Sequence, residues 1–142
     1  MPTDEDPPIL TRAESEIMTI IWDKGGATVH DVVAALPRSI AYTSVLTLLR
    51  ILEKKGYVQH EAHPDGGRAH LYRPLVQAGN ARRHHVRDLV DRLFGGQTEE
   101  LVVGLLEEEK WSKGDLERLR ELIDSRLGAG PASGKKGKGN AG

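Results

Sequence analysis

The chain has 142 residues, with 20 Lys and Arg against 21 Asp and Glu, and it contains no cysteine. Its length allows one compact domain of ordinary size or two small ones. The absence of cysteine excludes disulfides, thiolate metal sites and cysteine-based redox sensing, and the formal net charge of -1 is not that of a protein that coats nucleic acid non-specifically.

The two ends of the chain are predicted to be disordered. Residues 1–8 form an acidic lead-in that lacks the basic start and apolar middle of a signal peptide. Residues 128–142 are rich in Gly and Lys and cannot pack a core. No apolar run approaches the ~18 residues that a membrane span needs. We therefore expect a cytoplasmic protein without membrane insertion.

The first predicted helix begins at a capping box. Thr11 is followed three residues later by Glu14, and such a pair satisfies the free amides of a first helical turn. Apolar residues at helical spacing give this helix a buried face: Ala13, Ile17, Ile20 and Ile21. Gly25 and Gly26 end it.

The second predicted helix has a similar start at Thr28, with the acidic Asp31 three residues later. Its buried side is apolar and consists of Val29, Val32, Val33 and Leu36. Pro37 stops the helix, and the next one follows within a few residues. This short connection predicts a helix-turn-helix pair.

The third helix, predicted from about residue 42 to 55, has two contrasting faces. One is an apolar stripe of Val45, Leu48, Leu49 and Leu52. On the opposite side two hydroxyls precede two cations: Thr43, Thr47, Arg50 and Lys54. Short donors can approach base edges and long cations can reach phosphates, so this face is typical of a DNA recognition helix. An ordinary solvated face is the alternative.

A β-hairpin is predicted next, with strands at residues 57–61 and 68–73. The joining segment, residues 63–67, reads His-Pro-Asp-Gly-Gly and tolerates the positive φ that a tight turn needs. Three helices followed by a hairpin with Arg68 near its tip are the order of a winged helix-turn-helix. A hairpin that only covers the core is the alternative. Residues 28–74 hold six basic and four acidic residues, so we expect weak non-specific affinity for DNA.

Three further helices are predicted between residues 76 and 127. Together they carry more apolar surface than about 50 residues can bury alone, so we expect a homodimer that presents two recognition helices to a two-fold operator. A monomer that folds these helices onto the winged domain is the alternative. The predicted dimerisation residues are Val86, Leu89, Val90, Leu93, Phe94, Leu101, Leu105, Leu116, Leu119 and Ile123.

The predicted fold is therefore mainly α with a small β-hairpin wing. It combines an N-terminal winged helix-turn-helix domain at residues 9–75 with a C-terminal three-helix dimerisation region at residues 76–127.

Several sequence segments resemble the penicillinase repressor family over about residues 10–127. They are Thr11-x-x-Glu14 with Ile20-Ile21-Trp22, the run Ala-Tyr-Thr-Ser-Val-Leu-Thr-Leu-Leu at 41–49, Lys54-Lys55-Gly56, His70-Leu71-Tyr72-Arg73-Pro74, and Leu93-Phe94-Gly95-Gly96. The resemblance implies a homodimeric winged-helix repressor that binds palindromic promoter DNA through its N-terminal domain and dimerises through C-terminal helices.

The resemblance also implies a mode of release from DNA. In family members of this kind, a membrane sensor protease triggered by β-lactam leads to cleavage at an Asn-Phe pair in the dimerisation domain. This chain has Gly104-Leu105 at the corresponding place. Gly104 could loosen the helix for a protease, since glycine costs about 1 kcal/mol in a helix interior, or it could be a close-packing position at the dimer interface. Copper-responsive relatives use a cysteine cluster, which this chain lacks.

Geometry and resemblance together give the predicted DNA-binding residues. Those at the start of the third helix are expected at base edges and adjacent phosphates, and the cations at the backbone. Leu46 flanks the same face, where relatives carry a cation. The set is Tyr42, Thr43, Ser44, Leu46, Thr47, Arg50, Lys54 and Arg68.

No catalytic residue, metal or cofactor is predicted. The chain lacks a Gly-x-Ser-x-Gly elbow and a Gly-rich phosphate loop. Its histidines lack the spacing of a catalytic zinc site and are interpreted as surface residues or phosphate neighbours: His60, His63, His70, His84 and His85. The alternative function is a winged-helix protein-interaction module that never touches DNA.

Overall fold

Six helices and a two-stranded hairpin build residues 7–129, the part of the chain that the computed structural model describes. In chain order they are α1 (Arg12–Lys24), α2 (Val29–Ala35), α3 (Tyr42–Lys54), β1 (Val58–Ala62), β2 (His70–Pro74), α4 (Ala78–Leu93), α5 (Thr98–Glu108) and α6 (Lys113–Ala129). The mainly α fold with a small wing, predicted from the sequence, is confirmed.

The predicted capping box of α1 is present, and the predicted start of α2 also forms one. At the start of α1, Thr11 Oγ1 accepts the Glu14 amide at 3.2 Å, and the Glu14 carboxylate accepts the Thr11 amide at 2.9 Å. Thr28 and Asp31 exchange the same two bonds at the start of α2, at 3.1 and 3.0 Å. The left-handed φ of 79° at Gly25, a conformation that costs glycine little, ends α1.

The main hydrophobic core lies between the three N-terminal helices and the base of the hairpin. It is apolar and fully enclosed, with Ile17, Met18, Ile21, Val32, Val45, Leu49, Leu52, Tyr57 and Val58 at its centre. Burial of such side chains stabilises the fold by about 1.5–3 kcal/mol each. The apolar stripe of α3 is thus held inward, and the opposite face of that helix is turned to solvent.

The hairpin is antiparallel, with His60 opposite Tyr72 and Ala62 opposite His70. β1 begins one residue later than predicted because the Tyr57 amide closes the end of α3, donating to Leu52 O at 3.0 Å. Ala27 and Tyr72 exchange two backbone bonds of 3.0 and 2.8 Å. The base of the wing is therefore fixed to the connection between α1 and α2.

The described chain divides into two compact units after Leu93. We predicted a domain boundary between residues 75 and 76, whereas α4 groups with the N-terminal elements. Two contacts account for this: Trp22 Nε1 donates to Val76 O at 2.8 Å, and the Leu10 amide donates to His85 Nε2 at 2.9 Å. The second unit contains α5 and α6.

Residues 1–6 and 130–142, which hold most of the predicted disordered ends, lie outside the described residues. The predicted lead-in at 1–8 is too long, because Pro7 is buried and Pro8 O accepts the Tyr57 hydroxyl at 2.5 Å. The predicted tail at 128–142 starts too early, since α6 continues to Ala129. The next proline along the chain after the start of α6, a residue that would end a helix, is at position 131. Within residues 7–129 there is no helix that is long and apolar enough to cross a membrane.

Candidate nucleic-acid interface

The helix-turn-helix pair consists of α2 and α3. The starts of the two helices are close together. The ring centroid of His30 on α2 lies 4.8 Å from that of Tyr42 on α3. Val45, Leu49 and Leu52 hold α3 in the core with no exposed surface. This arrangement leaves one long side of α3 free to enter a groove.

The exposed side of α3 carries the hydroxyls and cations singled out in the sequence. Thr43, Thr47, Arg50 and Lys54 are all exposed. Thr47 Oγ1 donates its proton to Thr43 O at 3.0 Å, which leaves its methyl group and an acceptor lone pair for contact with a ligand. Neither cation forms an ion pair with another residue between 7 and 129, so both charges are available.

The other predicted residues of α3 are placed less uniformly. Ser44 is exposed, and Tyr42 keeps 43% of its surface exposed beside His30. Leu46 is partly buried against the core, so only part of its side chain faces outward. DNA contact by these three residues stays a prediction.

The wing presents one free cation and uses another to hold its base. Arg73 pairs with Glu61 across the two strands and donates from Nη1 to Gly25 O at 3.4 Å. Arg68 is exposed beyond the paired strands, next to two glycines with φ of 87°, and has no ion-pair partner in the described chain. The predicted role of Arg68 at the DNA backbone stays a prediction.

A side-chain bridge joins α3 to the wing. His60 Nδ1 lies 2.9 Å from both oxygens of Glu53. The His60 ring also lies 4.8 Å from the His70 ring and 5.8 Å from the Tyr72 ring. Burial raises the pKa of Tyr72, and the nearby Glu53 raises it further, whereas Arg50 lowers it. Side-chain contacts therefore link α3 directly to the wing.

A second, more buried bridge fixes the far end of α3. Lys55 Nζ lies 2.6 Å from Glu14 Oε1 and donates to Ile9 O at 3.3 Å. Burial alone would raise the pKa of Glu14, but hydrogen bonds from Lys55 and Thr11 and the Lys55 charge lower it. Burial raises the pKa of Tyr57 to about 12.

Sequence reasoning missed His30 and Glu53 beside the predicted DNA-binding residues, and it missed Tyr72, a buried ring next to His60. Glu53 and His60 are separated by seven residues across the end of a helix, a spacing that no periodicity marks. Tyr72 belongs to the family-like segment at 70–74 but was not singled out. Only its cross-strand position opposite His60, which follows from the hairpin register, could have indicated its place.

The predicted dimerisation residues lie in both units. Val90 is 1% exposed and already buried within the single chain. Leu89, Phe94, Leu101 and Leu119 are half-buried. The remaining five expose large apolar surfaces, up to 65% at Leu93: Val86, Leu93, Leu105, Leu116 and Ile123. No residue of α5 is buried.

The predicted cleavage position lies inside α5. A side chain added at Gly104 would meet no atom within 4 Å, so packing within the single chain does not require glycine there. Leu105 O accepts the Glu109 amide at 3.1 Å and Trp111 Nε1 at 3.0 Å. These bonds hold the end of the helix closed.

Comparison with known proteins gives matches in both sequence and structure. The penicillinase repressor family model matches residues 10–125. The methicillin resistance regulatory protein MecI of Mammaliicoccus sciuri is 24% identical over 119 residues, which cover 82% of this chain and 94% of that protein. The penicillinase repressor of Bacillus licheniformis is 23% identical over 119 residues, covering 82% and 91%. The crystal structure of wild-type MarR from E. coli in its apo form has a TM-score of 0.47 and 18% identity, covering 83% of this chain and 78% of that one.

Proposed function

The chain belongs to the penicillinase repressor family, and from this membership we propose that it is a sequence-specific transcriptional repressor that acts as a homodimer on a palindromic DNA operator. The observation that carries the proposal is the exposed side of α3, where Thr43 and Thr47 precede Arg50 and Lys54, two cations that form no ion pair among residues 7–129. In a major groove, such a helix places its start against base edges and its cations against phosphates.

The wing extends this proposed interface. Arg68 at the hairpin tip would contact the backbone beside the groove that α3 occupies. Because phosphate contacts fix the register of a protein on the duplex without reading sequence, Arg68 and Lys54 are assigned to affinity. Discrimination between sequences is assigned to the start of α3, at Tyr42, Thr43 and Ser44.

Homodimerisation is proposed from the second unit. α5 has no buried residue, and α6 exposes Leu116, Leu122, Ile123 and Leu127 by 44% or more. Contiguous apolar surface of this kind marks an interaction site. A second copy is the proposed occupant, since a two-fold pair of recognition helices matches a palindrome.

Release from DNA is proposed to follow the family pattern, through a membrane sensor protease pathway that responds to β-lactam or cell-wall stress. The proposed bond is Gly104–Leu105 in α5. Glycine weakens a helix interior by about 1 kcal/mol, which favours the local opening that a protease needs. Mass spectrometry of the protein recovered from cells with and without β-lactam tests this step: fragments ending at Gly104 support it, and an intact chain after induction contradicts it.

Selection of duplexes from a random pool by the purified protein tests the proposed function as a whole. At about 0.15 M salt the Debye length is ~8 Å, and long-range non-specific attraction is weakened. Recovery of a palindrome with half-sites about one helical turn apart would support a dimeric repressor. A folded dimer that enriches no sequence would instead favour the protein-interaction module.

A further inference from the structure

The wing carries two histidines that are not among the residues assigned above to DNA contact. His60 on β1 and His70 on β2 lie diagonally across the hairpin, with 4.8 Å between ring centroids. Both are exposed. His60 lies beside α3, because Glu53 of α3 holds it, and His70 lies next to His60 at the end of the paired strands nearer the tip.

The hydrogen bond to Glu53 determines which ring nitrogen of His60 is available to a ligand. An ionised carboxylate only accepts hydrogen bonds, so His60 Nδ1 must carry the proton that points to Glu53. The second ring nitrogen, Nε2, is then the one that gains or loses a proton. Gaining it creates a donor and a positive charge without breaking the bridge to α3.

The charges around the pair balance when both rings are neutral. From α3, the carboxylate of Glu53 faces His60, and the guanidinium of Arg50 lies close enough to act on the same Tyr72 hydroxyl as Glu53. From β2, His70 and Tyr72 complete the surroundings. Protonation of both histidines would therefore give this surface two additional positive charges beside Arg50.

We propose that His60 and His70 form a proton-dependent phosphate-contact site on the wing, so that the protein binds DNA more tightly as pH falls from 8 to 6. This inference rests on the proposed DNA-binding function and names a contact and a regulation of the same surface. Two imidazolium rings this close repel each other, and a phosphate oxygen placed against them neutralises that repulsion. DNA binding and proton uptake are thereby coupled, within the pH range in which histidine changes charge.

The experiment is a binding titration with a mixed-sequence duplex of about 30 base pairs, since phosphate contacts dominate non-specific binding. It is run at about 50 mM salt, at pH 8 and pH 6, with circular dichroism at each pH to show that the fold is unchanged. Three variants accompany the wild type: the double variant His60→Gln/His70→Gln, His70→Lys, and His84→Gln as a control on α4. Lysine at position 70 supplies a charge that does not depend on pH in this range.

We expect wild-type affinity to rise by about tenfold or more between pH 8 and pH 6, since each proton taken up contributes up to about tenfold per pH unit. The slope of log affinity against log salt should steepen by about 0.9 for each new phosphate contact. The double variant should lose most of both changes, His70→Lys should bind more tightly than wild type at pH 8, and His84→Gln should behave as wild type.

Two results would overturn the inference, and only one of them would also contradict the proposed DNA-binding function. Binding that changes with pH equally in wild type and double variant overturns the histidine contact alone and leaves the proposed function standing. No binding at either pH, to this duplex or to any duplex selected from the random pool, with the protein folded, overturns the proposed function and the inference together.

Discussion

Glu14 and Lys55 form an ion pair of 2.6 Å across 41 residues of sequence, and it joins the first turn of α1 to the end of α3. The carboxylate is almost completely enclosed, with 4% of its side chain exposed, whereas the lysine keeps 23%. The pair therefore supports the orientation of α3 from within the fold.

Replacement of Lys55 by Met should destabilise the protein by about 2–4 kcal/mol, because it leaves the enclosed Glu14 carboxylate without its cation. Urea unfolding followed by circular dichroism measures the loss. Lys54→Met, on the exposed side of the same helix, is the matched control and should change the free energy of unfolding by less than about 0.5 kcal/mol. Equal effects of the two variants would contradict a special role for the buried pair.

Alkaline pH should destabilise the protein through Tyr57. Its pKa is raised to about 12 from an ordinary value of about 10, so the contribution of the neutral phenol is complete below pH 10 and is lost as pH rises through 12. Unfolding measured at intervals between pH 9 and pH 12 should show a smaller loss in Tyr57→Phe than in wild type. Tyr42→Phe should retain the wild-type loss; a profile unchanged by Tyr57→Phe would assign the alkaline effect to other groups.

Thr43→Ala should change sequence preference more than total affinity. We expect a shift of about 1 kcal/mol in the relative binding of duplexes that differ at one base pair in each half-site. Competition between duplexes recovered from the random pool measures it. Thr19→Ala, which removes an exposed hydroxyl that is bonded within α1, is the control. Unaltered preference in Thr43→Ala would contradict the assignment of α3 as the recognition helix.

Ile123→Glu should weaken homodimerisation. The side chain is 54% exposed in the single chain, so a carboxylate there leaves the monomer fold intact but must be desolvated when a second copy covers the helix. Analytical ultracentrifugation should show at least a tenfold weaker dimer, whereas Arg120→Glu on an exposed position of α6 should have a smaller effect. A dimer unaffected by Ile123→Glu would place the interface elsewhere.

Gly104→Ala should stabilise α5 by about 0.5–1 kcal/mol, because the position is helical and the added methyl group meets open space in the single chain. Gly95→Ala should do the opposite, since φ there is 55° and alanine is strained in that region. Thermal unfolding of both variants gives the comparison. A dimer weakened by Gly104→Ala would show that this glycine packs against the second copy.

The local elements of this fold could be predicted because their causes lie within a few residues. Thr11 and Glu14, or Thr28 and Asp31, form a cap that depends only on their spacing, and the stripe of α3 follows from its period. The contacts of the candidate site could not be predicted from local sequence patterns. The contact of Glu53 with His60, and that of Glu14 with Lys55, depend on how separate elements pack, and no local pattern encodes them.

The grouping of α4 shows the same limit. Its sequence has an amphipathic stripe, which predicted that α4 belongs to the C-terminal dimerisation region. Its position with the first unit depends instead on Trp22 reaching Val76 and on Leu10 reaching His85. These are bonds between an indole or imidazole and backbone groups far away in sequence, and hydrophobic periodicity carries no information about them.

Tyr57 has one further consequence. Its amide closes α3, its carbonyl accepts the Leu75 amide at 2.7 Å, and its hydroxyl holds Pro8, while Glu53 holds the wing through His60. These bonds hold α3 and the wing at a fixed distance from each other. Under the proposed function, DNA whose groove width already fits this spacing would be bound without the elastic cost of deforming it, so the stiffness and shape of base pairs that no side chain touches would contribute to sequence preference.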